Sequence, residues 1–241
     1  MLIYSLRTGP LGVNTYIVEL CASGAKTAKQ TGGGYAFIVD PAACAFCGDQ
    51  DTITDFLRKQ NLTPVAIVLT HGHFDHVAGL KHLRDCYPEI PILIHTEDSK
   101  FIGAEGGTLQ GQSLMEMGFD DFIPSVTGLP QATAFLEDGK NLRDCAGVAG
   151  KAQSFEGMQD WLVIHTPGHT PGSVCLYNSL QKVLLSGDTI FYRSWGRTDL
   201  PFGSEAQIQE SLRHIYSTLP SDTKVYPGHE FNGFQISENI G

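Results

Sequence analysis

Lysine and arginine are scarce in this chain: 16 of them stand against 26 aspartates and glutamates, for a formal net charge of −10. Nowhere do they cluster into the basic patch that grips a phosphate backbone, which excludes a nucleic-acid-binding role. Charged residues of both signs make up only 17% of the sequence, below the roughly 25% of an average soluble protein. That scarcity excludes a disordered chain and a coiled coil. No apolar run approaches the roughly 18 residues of a membrane span. The opening, MLIYSLRTGPLGVNTYIVEL, lacks a basic start followed by an apolar stretch and a small-residue cleavage site. A cytoplasmic protein, bound to neither membrane nor nucleic acid, is expected. Internal repeats and Pro- or Ser-rich linkers are also missing, so residues 1–241 read as one domain. Six cysteines (Cys21, Cys44, Cys47, Cys86, Cys145 and Cys175) are too scattered for a disulfide framework and read as free thiols. Cys44 and Cys47 form a lone C-x-x-C. Without a second such pair they read as ordinary thiols rather than a redox pair or metal clip.

What is present is enough apolar material for a large core, 41% of the residues, punctuated by 27 glycines. Val13–Leu20 and Tyr35–Val39 read as two strands of a hairpin whose long, Gly-rich tip runs through Cys21–Gly34. Thr52–Gln60 has helical spacing, with Ile53, Phe56 and Leu57 on one side. Val65–Leu69 is a short continuous apolar run, as expected of a strand covered on both faces. Val77–Cys86 returns to helical spacing, and Ile92–Ile94 reads as another buried strand. Further strands are expected at Trp161–Ile164, Ser173–Tyr177, Val183–Leu185 and Lys224–Tyr226, with a helix at Glu205–Leu219. Ser99–Gln159, Gly-rich and acidic by turns, reads as a helical lid followed by an irregular insertion. The pattern is that of a mixed α/β domain with helices outside sheets.

Chemistry collects at the ends of these strands. After the first buried run comes Thr70-His71-Gly72-His73-Phe74-Asp75-His76. After Trp161–Ile164 comes His165-Thr166-Pro167-Gly168-His169-Thr170-Pro171-Gly172. Ser186-Gly187-Asp188-Thr189 follows Val183–Leu185, and Pro227-Gly228-His229-Glu230 follows the last strand. Loops beyond strand ends are where distant parts of an α/β chain meet over one crevice. His71 and His73 are two residues apart, so in extended chain they point the same way and can clamp one ion. Asp75 and His76, where the chain turns into the next helix, can aim at a second. One loop cannot supply the four to six ligands that each ion needs. His169, Asp188 and His229 would complete the sets, with Asp188 able to bridge. Neutral imidazoles and anionic oxygens suit zinc first, then iron or manganese. The remaining histidines read as structural: His95 at a strand end, His165 alternating into strand packing, and His82 and His214 solvated on helices.

THGHFDH, HTPGHTPGS, SGDT and YPGHE resemble the signatures of the metallo-β-lactamase-fold hydrolases, in particular their glyoxalase II-like (hydroxyacylglutathione hydrolase-like) branch. The resemblance runs from VNTYIVE and FIVDP to Tyr226–Glu230 and is weak across Ser99–Gln159. It implies a four-layer αββα sandwich with the metals at one edge. It assigns His71, His73 and His169 to one ion, Asp75, His76 and His229 to the other, and Asp188 to both. The lactamases themselves commonly carry Arg after the motif Asp and Cys among the second metal's ligands, where this sequence has His76 and Asp188. Flavodiiron proteins place Glu where His73 stands. In glyoxalase II a helical domain follows the last metal His and helps grip glutathione, whereas this sequence has twelve residues after His229. The family's glutathione-holding Lys and two Tyr correspond here to Arg197, Asp199 and Phe231, so one cation stays and both phenols are lost. GRTDLP resembles a stretch shared with persulfide dioxygenases.

The reaction expected from this set is two-metal hydrolysis of a thioester. A water between two cations has its pKa lowered from 15.7 towards about 7, and Asp75 and Asp188 would orient the resulting hydroxide. Asp40 and Thr70, at neighbouring strand ends, would hold imidazoles in register. Arg197 would take the carboxylate of a small anionic thiol conjugate bidentately, or else pair locally, with Asp199 for instance, and only shape its loop. Two other readings fit the same residues: a mononuclear iron persulfide dioxygenase, and a metal-binding protein without catalysis.

Overall fold

The computed structural model of the chain describes residues 1–20, 33–147 and 155–239. Two sheets stack face to face. The first has six strands in sequence order: β1 (Leu2–Thr8), β2 (Val13–Leu20), β3 (Gly34–Val39), β4 (Leu62–Val68), β5 (Ile92–His95) and β6 (Ala134–Leu136). The β1/β2 and β2/β3 pairs are antiparallel, and β3 to β6 run parallel. The second sheet is built from β7 (Trp161–His165), β8 (Val174–Asn178) and β9 (Val183–Gly187). A small hairpin of β10 (Ile190–Phe191) and β11 (Ser194–Trp195) follows, and β12 (Lys224–Pro227) and β13 (Phe234–Gln235) complete the sheet in the order β13-β12-β9-β8-β7. Because β8 is antiparallel to both β7 and β9, and β12 is parallel to β9, three strands of this sheet share one direction.

The helices lie on the outer faces. Against the first sheet pack α1 (Thr52–Gln60), α2 (Phe74–Val77), α3 (Leu80–Cys86), α4 (Gly103–Glu116) and α5 (Ile123–Val126); α6 (Leu142–Cys145) joins the layer between the sheets, and α7 (Glu205–Thr218) covers the second sheet. Strand alternation sorts the core into three layers. Ile17, Ile38 and Ile67 face Ile53, Leu57, Leu80 and Leu114 on the first helical side. Tyr16, Val18, Phe37 and Val68 interleave with Trp161, Val163, Leu176 and Leu185 between the sheets. Cys175, Leu184 and Val225 meet Ile208, Leu212 and Ile215 of α7 on the far side. With both faces covered, β4 is a near-continuous apolar run from Val65 onward, as its sequence implies. This is the four-layer αββα sandwich.

Local signals account for several boundaries. Asn61 ends α1 in the left-handed conformation at φ 54°, its amide returning to Arg58 O. Ser204 starts α7 by accepting the Gln207 amide. The helix expected over Val77–Cys86 is instead two, α2 and α3. The break is tertiary: the Gly79 amide leaves the helical ladder and donates to Pro41 O at 2.8 Å. A Cβ at Gly79 would lie 2.7 Å from both Pro41 O and Ala43 O, so only glycine allows this approach. The stretch after Ser99 does hold a helix, α4, and then an added strand, β6, which pairs with β5 and lacks a long apolar run of its own. Its glycines are consistent with close packing: a side chain on Gly106 would collide with Phe101 O, and one on Gly107 would press on Thr127. β1, also unsignalled, is a half-exposed edge strand. The β2/β3 pairing bears out the hairpin, whose tip falls mostly outside the described residues.

Among the described residues no helix is long and apolar enough to cross a membrane. Cys44, Cys47, Cys86, Cys145 and Cys175 are free, and Cys21 lies outside the description. His214 is exposed as expected, but His82 is not merely solvated: its Nε2 sits 3.1 Å from Asp51 Oδ1 and links α3 to the start of α1. His165 is held in strand packing, stacked on His95 at 4.1 Å, with its Nε2 2.8 Å from Pro171 O.

Gly79→Ala should overpack the junction against rigid backbone and lower stability by about 1–3 kcal/mol. Urea unfolding of the metal-free protein measures this, and an unchanged midpoint would show that the α2–α3 junction has slack.

Candidate metal centre

The parallel strands β3, β4 and β5 and the co-directed β7, β9 and β12 deliver their following loops to one edge of the sandwich. The two sheets are stitched there by the Val174 amide donating to Thr70 O at 2.8 Å. The Gly228 and Asn14 amides donate to Gly187 O and Gly228 O, holding the last loop beside the Asp188 loop and the start of β2. Gly228 lies so near Asp188 Oδ1 and the His76 ring that any side chain on it would occupy their place.

All seven residues expected as ligands converge here. In the first group, the ring centroids of His71, His73 and His169 are 4.5–4.9 Å apart, with His73 Nδ1 2.8 Å from His169 Nε2. In the second group, His229 Nε2 is 3.2 Å from both Asp75 Oδ2 and His76 Nε2. Asp188 stands between them. Its Oδ1 is 3.4 Å from His76 Nε2, and its Oδ2 is 3.5 Å from His169 Nε2 and 3.6 Å from His229 Nε2. Within each group the potential donor atoms lie within 4.8 Å of one another.

Two of these atoms, His71 Nε2 and Asp188 Oδ1, are buried without a hydrogen bond. A buried acceptor left in this state costs about 1–3 kcal/mol. Nitrogen and oxygen lone pairs directed at a common point are what a divalent cation satisfies, so the donor set fits two such ions.

Hydrogen bonds behind the rings set this orientation. Asp40 sits in the left-handed region at φ 49°, and its carboxylate accepts three bonds: the Thr70 amide at 2.8 Å, the Thr70 hydroxyl at 2.6 Å and His76 Nδ1–H at 3.0 Å. The Thr70 hydroxyl has given its only proton to Asp40, so at 3.1 Å it can only accept from His71 Nδ1–H. Both rings are thereby left with Nε2 facing the cluster. His169 is set the same way, its Nδ1–H donating to Arg197 O at 2.7 Å.

The electrostatics follow. Burial, reinforced by neighbouring imidazoles, pushes His71 and His73 well below the usual histidine range and keeps them neutral. Burial also opposes the charged form of His76, but Asp188, Asp75 and Asp40 outweigh it and raise that ring to about 10. Asp75 is held below the usual carboxylate range by His76 and His229 in spite of its burial. An arriving cation would displace the His76 proton.

One residue of this edge has no signal in the spacing of the histidine motifs. Asp98, fully buried just beyond β5, accepts the Gly72 amide at 2.8 Å, the Gly172 amide at 2.7 Å and the Thr170 hydroxyl at 2.7 Å. It therefore clamps the His71–His73 loop to the loop carrying His169. Burial raises its pKa against these three bonds. Its only sequence clue is an acid following a buried strand parallel to β4.

A cleft of about 350 Å³ opens onto the cluster, lined by His73, Asp75, His169, Asp188 and His229 together with apolar side chains and Arg197. Arg197 Nε and Nη2 donate to the two oxygens of Asp199, each at 2.7 Å, in an exposed pair. Two of its five N–H groups are engaged, which leaves the outer edge of the guanidinium for another acceptor. Away from the cleft, Cys44, Cys47 and Asp49 form a further compact group, although both Asp49 oxygens accept backbone amides, from Cys44 and Gly9.

The sequence profile described as the metallo-beta-lactamase superfamily matches residues 8–229. "Probable metallo-hydrolase YqgX" of Bacillus subtilis is 31% identical over 76% of this chain and 76% of its own length. Among solved structures, BLEG-1 B3 metallo-beta-lactamase superposes with a TM-score of 0.75 at 29% identity, covering 99% of this chain and 96% of that one. TTHA1623 in a di-iron-bound form gives 0.72 at 26% identity, with coverage of 98% and 96%.

If Asp188 serves both ions, Asp188→Ala should lose both together on dialysis against a weak chelator. Elemental analysis showing two ions still tightly held would refute the shared role. Asp98→Ala should weaken the ion held by His71, His73 and His169 by about 10- to 100-fold, as removal of a ligand-orienting partner does elsewhere. The other ion should change far less. Chelator competition resolves the two affinities, and equal losses at both would reduce Asp98 to a general packing role.

Proposed function

The chain belongs to the metallo-beta-lactamase superfamily, and from that premise we propose that it is a dinuclear metal-dependent hydrolase that cleaves thioesters. The observation that carries the reading is the shared Asp188 between two three-donor groups at the floor of an open cleft. His71, His73 and His169 would hold one ion, and Asp75, His76 and His229 the other. Imidazole-rich sites with carboxylate oxygens accept zinc, iron and manganese, of which zinc binds most tightly. Two such ions supply a hydroxide nucleophile at neutral pH and polarise the scissile carbonyl.

The chain's own groups do the rest. Asp75 and Asp188, both lining the cleft, would orient the attacking water by accepting a hydrogen bond from its O–H. Asp40 and Thr70 keep His71 and His76 in the tautomer that presents Nε2. A thiolate leaves without prior protonation, so no separate general acid is needed. Arg197, at the cleft rim with N–H groups to spare, anchors the carboxylate of an anionic thiol leaving group.

Metal analysis combined with thiol-release and oxygen-uptake assays tests the reading. Two ions per chain, thiol release and no oxygen consumption are expected. One iron per chain with oxygen uptake would make the protein a persulfide dioxygenase instead, and bound ions with neither activity would make it a non-catalytic metal binder.

An anchor that grips ground state and transition state alike affects KM more than kcat. Arg197→Ala should therefore lower kcat/KM on an anionic thioester by roughly 10- to 150-fold, corresponding to about 1.5–3 kcal/mol for a charge-assisted contact. Arg197→Lys should recover part of the loss. If a neutral thioester loses as much, Arg197 only shapes its loop through Asp199.

A further inference from the structure

The walls of the cleft carry more information than the metal cluster. Leu11 comes from the β1–β2 turn, Phe191 and Trp195 from the β10–β11 hairpin, and Phe74, Met117 and Leu200 from the side facing α4. Apart from the candidate ligands, the charged side chains on these walls are Arg197, already paired with Asp199, and Glu230. Leu11 and Trp195 are 45% and 47% exposed, so the mouth as well as the interior offers apolar surface.

The apolar surface continues past His73. A smaller pocket of about 20 Å³ adjoins the cleft, sharing His73, Phe74, Met117 and Leu200 with it, and is bounded beyond them by Leu109, Gln110 and Ser113 of α4 and by Pro201. Its volume is enough for about one water-sized or methyl-sized group. The roof over this pocket is a strap, residues 200–203, closed by the Gly203 amide on Leu200 O. It is held down at both ends. Phe202, in the left-handed region at φ 72°, lies edge-on to Phe101 with Lys100 Nζ 4.0 Å from its ring centre. The Ser204 amide donates to Gly168 O, one residue from His169. A non-glycine residue in that conformation is strained and persists only where its surroundings impose it. Here the aromatic and cationic contacts supply that constraint.

We infer that the acyl group of the substrate is an unbranched aliphatic chain, lying along Phe74, Met117 and Leu200 with its tip in the pocket between α4 and the 200–203 strap. The inference rests on the thioester reading for its chemistry and on the size and lining of the two adjoining cavities for its specificity. A charged or heavily hydroxylated acyl group would face apolar walls, because Arg197, the cation among the described lining residues, is engaged by the carboxylate of the thiol. A branched tip would exceed the end pocket.

The test is a series of straight-chain acyl thioesters of one common thiol, run on the metal-loaded protein alongside calorimetric binding of the matching straight-chain carboxylic acids. Each methylene buried should raise kcat/KM and affinity by roughly fourfold, up to a length at which both level off or fall. Ser113→Leu, which fills the end pocket, should move that optimum to a shorter chain. Leu109→Ala, which enlarges it, should move the optimum to a longer one. Hydrolysis with no dependence on chain length, or an optimum indifferent to both variants, would overturn the acyl assignment and leave the hydrolase reading standing. Chain-length-dependent binding without hydrolysis of any thioester would do the reverse. Should Ser113→Leu fail to fold, the lengthening by Leu109→Ala still decides the matter.

Discussion

The site depends first on the Asp40 carboxylate. Its two oxygens accept the Thr70 amide, the Thr70 hydroxyl and the His76 ring, and through Thr70 it also fixes the proton on His71. One buried anion thus sets the tautomers of a member of each candidate metal-binding group. Its position is over-determined. The Asp40 amide donates to Val68 O, its carbonyl accepts the Thr15 hydroxyl at 2.6 Å, and its backbone is held at positive φ. Strain of that kind persists only where the surroundings impose it, and here the ends of β2, β3 and β4 all contribute.

A cluster of five imidazoles and two carboxylates is an unfavourable thing to bury. His73 and His169 bring ring nitrogens to 2.8 Å of one another, and two acceptors find no donor. The attraction of Asp75 and Asp188 for a protonated His76 offsets only part of this without cations, so much of the work of holding the cluster falls to the scaffold. Three apolar layers fix the two sheets, and buried polar residues, Asp40 and Asp98 above all, turn each sheet's strand ends towards the other. Asp98 is the counterpart of Asp40 on the opposite side: one anion ties the motif loop to its own sheet, the other ties it to the loop of β7. Both are fully satisfied by hydrogen bonds, as a buried charge must be.

The rim of the cleft is linked to its floor. Arg197 presents its carbonyl to His169 and its guanidinium to Asp199, so the loop that would meet a substrate also aims a metal-binding ring. The same loop runs on into the strap over the end pocket, and Ser204 returns from it to the His169 loop. The candidate substrate contacts and the geometry of the candidate ligands would therefore be coupled through a short stretch of chain, from Arg197 to Ser204, between the β10–β11 hairpin and α7.

Much of this was legible in the order of residues alone. α1 and β2 fall at the limits their periodicity implies, because caps and turns are local events. The seven candidate ligands stand out because histidines and acids recur after apolar runs beside glycine, and their convergence needs only that those runs be strands of a shared direction. β6 and β1 were not legible, since a short or half-exposed strand is defined by its neighbour and not by its own pattern. The helix over Val77–Cys86 breaks because Pro41, far away in sequence, takes the Gly79 amide. Asp98 looks like any turn acid until β5 is placed beside β4. The ion pair of His82 with Asp51 depends on helix placement. The sequence by itself determined which chemistry is present, because donor type and spacing are carried by the residues. Only the tertiary structure decided which carboxylates aim the rings and what the cleft walls will accept, because those are relations between surfaces that the chain brings together on folding.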